Sequence, residues 1–221
     1  MRARAAEFIG TFALVFAGCG AIAIGRLSPA GIAFAFGLVI AVCVWAFGPI
    51  SGAHFNPAVS VGLALLRRVS PMRALTYIAA QVAGAGAGAL MLALVLGSNR
   101  ALGVTAPSGA ELQSLVMEAL LTCFLMLVVA VAAESPTPAL APLAIGGTVA
   151  LGALVGGPIS GASMNPARSI GPALVAGDYS HLWVYLVGPM AGASAAAIVS
   201  KWLRAERSVA VAVRGPDGPH S

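Results

Sequence analysis

Six apolar stretches recur along the chain, at 5–24, 31–47, 74–96, 112–132, 139–156 and 182–203, separated by short connections that are polar or rich in Gly and Pro. Each falls in the range of roughly 17–25 residues that a helix needs to cross the hydrocarbon core of a bilayer. The pattern therefore predicts six membrane helices. Two further segments, 48–65 and 157–174, lie between the second and third spans and between the fifth and sixth. Their sequences, GPISGAHFNPAVSVGLAL and GPISGASMNPARSIGPAL, match at 13 of 18 positions without a gap. Each centres on an Asn-Pro-Ala triplet, Asn56, Pro57 and Ala58 in one and Asn165, Pro166 and Ala167 in the other. Asn caps a helix N-terminus and Pro fits the first turn, so each triplet predicts the start of a short helix.

Three crossings separate equivalent points, so the two short helices enter from opposite faces and the halves are inverted copies, approximately 1–100 and 110–204. Other echoes agree. Glu7 with Thr11 is matched by Glu118 with Thr122, and YIAAQVAGA from Tyr77 by YLVGPMAGA from Tyr185. The expected fold class is an all-α membrane protein with six transmembrane helices and two re-entrant half-helices in an inverted repeat. Such repeats place their functional site near the bilayer midplane. The residues ahead of each Asn, 48–55 and 157–164, carry Gly and Pro breaks and are expected to be non-helical. Their carbonyls suggest an acceptor rail along a wet path, because irregular backbone at membrane depth must be buried in protein or line water. The Asn56 and Asn165 amides then supply fixed donors. Two helix N-termini meeting at the midplane repel a cation and orient a neutral hydroxyl.

Composition sharpens this picture. The chain of 221 residues is 59% hydrophobic and 9% charged, with a mean hydropathy of +0.95, far from the soluble balance of roughly half apolar and a quarter charged. One bundle domain accounts for the length. The net charge of +5 forms no patch interleaved with exposed aromatics, so nucleic acid is not an expected partner. Arg2, Arg4, Arg67, Arg68, Arg73, Lys201, Arg204, Arg207 and Arg214 all share one side of a six-span topology, against Arg26 and Arg100. That bias puts both termini in the cytoplasm and the protein in the plasma (inner) membrane as a multi-pass protein. The first apolar run is longer than a signal-peptide core and reads as a retained helix. Residues 205–221 are expected to be a disordered cytoplasmic tail.

Few residues carry chemistry. Cys19, Cys43 and Cys123 lie in apolar segments without ligand spacing, no metal or cofactor is expected, and no nucleophile stands at a usable distance from a base, so an enzyme is not expected. His54, two residues before Asn56, either lines the pore or fixes the loop. Arg168 directly follows the second triplet where the first has Val59. An Arg within an apolar region is costly and marks a functional position, here a pore wall.

Over nearly its full length, from AEFIGTF to the span ending near Leu203, the sequence resembles the aquaporin, or major intrinsic protein, family. The segment LAIGGTVALGALVGGPISGASMNPARSIGPAL is most similar to the nodulin-like intrinsic protein branch. The resemblance implies an aquaporin-like channel domain over 1–204 and four-fold assembly, a separate pore in each subunit. It implies an outer constriction, or selectivity filter, built from Arg168 with Phe36, Ala153 and Ala162. It also implies that Glu7 and Glu118 brace the re-entrant loops by accepting from backbone N–H groups, rather than relaying protons. Strict water channels of the family carry His where Ala153 stands, and typical glycerol facilitators carry Asp where Ser169 stands. The expected function is a passive channel for water and small uncharged solutes such as glycerol or boric, silicic or arsenous acid, excluding protons and ions. The alternatives are a strict water channel, an ion-coupled secondary transporter, or a structural protein with a closed pore.

Overall fold

The computed structural model describes residues 1–97, 102–132 and 137–214, with backbone alone over 205–214. Eight helices lie among these residues. Six are long and apolar enough to span a membrane: α1 (Arg2–Ala23), α2 (Pro29–Ser51), α4 (Pro71–Leu96), α5 (Glu111–Ala132), α6 (Ala141–Ser160, entered through a 3₁₀ turn at Pro138–Leu140) and α8 (Leu182–Arg214, apolar as far as Arg204). Two are short: α3 (Pro57–Leu65) and α7 (Pro166–Ala176).

Four of these helices begin with the same local chemistry, a capping side chain followed by Pro. Ser28 Oγ accepts from Gly31 N–H ahead of α2, and Ser70 Oγ accepts from Arg73 N–H ahead of α4. Asn56 and Asn165 do the same for α3 and α7. The caps satisfy donors that otherwise have no intrahelical partner, and Pro occupies a position whose N–H is not needed.

Packing follows the repeat. α1 lies against α4 as α5 lies against α8, α1 against α2 as α5 against α6, and α7 sits on α4 as α3 sits on α8. The α2–α6 contact joins the halves. Glycines let these helices approach. A Cβ at Gly84 would strike the Phe8 carbonyl and one at Gly192 the Ala119 carbonyl, so α4 and α8 each press a bare backbone against α1 or α5. This is small-residue packing, the route to close helix contact where lipid offers no hydrophobic drive. Large apolar side chains point outward instead: Leu38, Trp45, Leu94, Phe124 and Ile198 are all exposed, as a lipid-facing surface requires.

The structure departs from the sequence reading at several points. Residues 48–51 and 157–160 are helical: α2 continues through Pro49 to Ser51, and α6 through Pro158 to Ser160. Only 52–55 and 161–164 are irregular. Gly52 (φ 88°) and Gly161 (φ 79°) end the helices, each donating its N–H to the carbonyl four residues back. Left-handed backbone at Gly, not the proline, is the stop. α8 continues to Arg214, past the expected end near 203, because no proline follows Pro189 until Pro216. Of the expected tail, 215–221 lie outside the described residues, as does Arg100. α1 contains a π-helical turn, Val15–Cys19, which no sequence signal announced.

Candidate functional site

The two short helices meet cap to cap. Asn56 uses its side-chain oxygen to accept from Ala58 N–H at 2.9 Å and its amide nitrogen to donate to the Met164 carbonyl at 2.8 Å. Asn165 mirrors it, accepting from Ala167 and Arg168 N–H at 3.0 and 3.3 Å and donating to the Phe55 carbonyl at 2.8 Å. Each cap thus holds the other half's loop. The sequence reading left both amides wholly free; one N–H of each is spent on this reciprocal lock and the second remains available.

Both loops run through left-handed conformations at non-glycine residues: Ala53 and Phe55 (φ 52° and 50°), Ala162 and Met164 (φ 46° and 54°). Such residues cost of order 1–3 kcal/mol each and persist only where their surroundings hold them. Glu7 and Glu118 are what hold them. Glu7 Oε1 accepts from His54 N–H at 3.0 Å and Ser51 Oγ at 2.6 Å, and Oε2 from Phe55 N–H at 2.7 Å and Gln81 Nε2 at 2.7 Å. Glu118 Oε1 accepts from Ser163 N–H and Ser160 Oγ, both at 2.8 Å, and Oε2 from Met164 N–H at 2.7 Å. Both carboxylates are fully buried. Tyr77 and Tyr185 finish each brace by donating to the Ser51 and Ser160 carbonyls at 3.0 and 2.7 Å. Sequence reasoning had missed the two Ser, the two Tyr and Gln81, although Ser51 and Ser160 stand at matched positions of the repeat, as do Tyr77 and Tyr185.

So braced, loop residues 53–55 and 162–164 line one cavity. Among the described residues nothing donates to the carbonyls of 52–54 or 161–163. Asn56, Asn165 and His54 share that cavity, which places His54 on its wall. The same ring is also tied to the loop's own helix, Nδ1 lying 3.0 Å from Ser60 Oγ. Glu7 and Glu118 stand behind the loops, outside the lining.

Phe36, Ala153, Ala162 and Arg168, drawn from α2, α6, the second loop and α7, line this one cavity. Arg168 is 1% exposed. Its guanidinium carbon stands 5.0 Å from the centre of the Phe36 ring, and Nη1 donates to the Gly103 carbonyl at 2.7 Å. Nε is buried without a partner, so the group keeps donors unspent. Behind it, Thr105 Oγ1 donates to Ser169 Oγ at 2.9 Å, and Ser169 Oγ lies 2.6 Å from Ser163 Oγ. Cys19, Cys43 and Cys123 are free thiols, and no cluster of potential metal ligands lies among the described residues.

Comparison with known proteins finds relatives of both the sequence and the fold. The family model described as Major intrinsic protein matches residues 1–200. The chain is similar to Aquaporin NIP1-1 of Oryza sativa subsp. japonica, at 48% identity over 200 residues, covering 87% of this chain and 70% of that one. To Nodulin-26 of Glycine max it is 42% identical, covering 90% and 76%. Its fold matches the X-ray structure of the aquaglyceroporin from Plasmodium falciparum with a TM-score of 0.77 and 26% identity, covering 89% of this chain and 93% of that one.

Proposed function

Because the chain belongs to the major intrinsic protein family and forms a transmembrane channel for water and small solutes rather than an enzyme, we propose that its filter passes glycerol or neutral metalloid acids as well as water. The observation that carries this reading is the make-up of the narrow region: one cationic donor over an aromatic face, with two alanine methyls completing the set. A larger polar side chain at 153 or 162 would close the gap to water size, whereas methyls leave room for a polyol or a trihydroxy acid. The free donors of Arg168 bind a solute hydroxyl, and the Phe36 ring packs against the solute's carbon or metalloid centre.

Charge is rejected twice. At the midplane the two helix N-termini and the second N–H of Asn56 and Asn165 make the site electropositive, favouring an oxygen acceptor and disfavouring a cation or hydronium. At the filter Arg168 adds a full positive charge. The loop carbonyls supply acceptors between these points, so a neutral solute trades its hydration for protein hydrogen bonds in steps. Four copies assemble, each with its own pore, and both termini face the cytoplasm of a plasma (inner) membrane. The shared end of the bundle supports that orientation: Arg68 of the α3–α4 connection and Arg204 of α8 both donate to the Ala130 carbonyl near the end of α5, at 2.7 and 3.1 Å, so two of the cations gather at one side.

Stopped-flow swelling of proteoliposomes tests the reading on a panel of water, glycerol, urea, boric acid and arsenous acid. Water and at least glycerol or one metalloid acid should equilibrate faster than in empty vesicles, without a proton current, and R168V should extend the size range or admit charge. Acceleration of water alone defeats the wide filter. Accumulation of any solute against its gradient defeats the passive pore.

A further inference from the structure

Besides Arg168, α1 carries a further departure from the inverted repeat. α1 carries the π-helical turn Val15–Cys19, while the matched stretch of α5, found by the offset that pairs Glu7 with Glu118, lies in an uninterrupted α-helix. π turns insert a residue into a helix and frequently sit at functional sites. This one adjoins the filter. At Gly18 an added Cβ would run into Cε1 of Phe36 and lie 2.5 Å from Cδ1 and 2.8 Å from Cζ, so the ring's edge occupies the space a side chain would take. At the next residue, Cys19 Cβ is packed so closely on Gly103 that a Cβ there would stand 2.8 Å from it. The Gly103 carbonyl is the one Arg168 donates to. Both partners of the cation–aromatic pair therefore rest on consecutive residues of the turn, Phe36 directly and Arg168 through Gly103. The equivalent half, with Val59 in place of Arg168, has neither the turn nor the pair.

We propose that Gly18 is a specificity-determining residue that touches no solute: its bare backbone is the seat into which Phe36 recedes, and the depth of that seat sets the filter's width. The proposal rests on the reading of Phe36 and Arg168 as the filter. Phe36 is only 7% exposed and is walled by Gly18 on one side and Arg168 beyond its face. The free space it adjoins is the channel itself. A ring pushed off Gly18 moves into the pore.

The test is stopped-flow permeability to water and glycerol for wild type, G18A and G18A/F36L in proteoliposomes at matched protein content. G18A should lower glycerol permeability several-fold more than water permeability, and the shorter side chain in G18A/F36L should return the glycerol-to-water ratio to the wild-type value or above. An unchanged ratio in G18A overturns the proposal, as does a double variant that stays narrow. If G18A fails to reach the membrane, the double variant decides: recovery of both insertion and glycerol flux supports the seat, and loss of both overturns it. If wild type conducts water alone, the wide filter fails separately and the seat is read on water, where a fall in G18A supports it and no change overturns it.

Discussion

Glu118 shows how much one side chain can set. Its carboxylate gathers two backbone N–H groups and a hydroxyl from a loop in which Ala162 and Met164 are left-handed. Hydrogen bonds to a charged group contribute about 1.5–3 kcal/mol each, enough to offset backbone strain of similar size. E118Q keeps the shape but replaces one acceptor oxygen with a donor facing Ser163 or Met164 N–H. We expect a loss of about 3 kcal/mol or more, read as a marked fall in Tm in detergent, and a similar fall for E7Q, whose loop is held the same way. A Tm within a degree of wild type in both variants would show the loops to be held by other contacts. That these acids form a pair was legible because they recur at one spacing in both halves; bracing was what the family resemblance implied. That Tyr77 and Tyr185 complete the brace was not, since a Tyr on an apolar helix looks the same whether or not its hydroxyl finds a carbonyl.

Helices pair here through what they lack. Gly84 and Gly86 lie two positions apart on α4, yet a Cβ at Gly84 would strike the Phe8 carbonyl while one at Gly86 would meet nothing within 4 Å. G84A should therefore separate α1 from α4, lowering Tm by several degrees and broadening the size-exclusion peak. G86A should be neutral or stabilising, by about 0.5–1 kcal/mol from helix propensity. Equal effects would remove the packing argument. In sequence both are simply small residues of one apolar span, and which of them faces a neighbour depends on helix rotation. Pro49 and Pro158 teach a related lesson. Both looked like helix ends, but each is carried inside its helix, and the stop comes at the following Gly52 and Gly161. Membrane helices tolerate an interior proline because neighbouring groups and local adjustment take up the freed carbonyl.

Across the whole molecule, a pseudo-twofold bundle is given direction by features found in one half alone: Arg168 on α7, and the π turn of α1 beneath Phe36. On the function proposed above, both parts are needed, a symmetric pair of half-helices to set the midplane and an asymmetric constriction to choose the solute. A reporter fused after Ser221 and another before Met1 should both read cytoplasmic in protease-protection assays; one tag on each side would require an odd number of crossings and undo the inverted frame. The sequence by itself determined the spans, the two Asn-capped stubs, the inverted frame and the paired acids, because each follows from local chemistry: some twenty apolar residues cross a bilayer, and Asn-Pro starts a helix wherever it lies. Only the tertiary structure decided that Asn56 and Asn165 grip each other's loops, that α2 and α6 run on to Ser51 and Ser160, and that Gly18 makes room for Phe36. Those depend on which surfaces meet after residues far apart in the chain pack together, and no local pattern carries that distance.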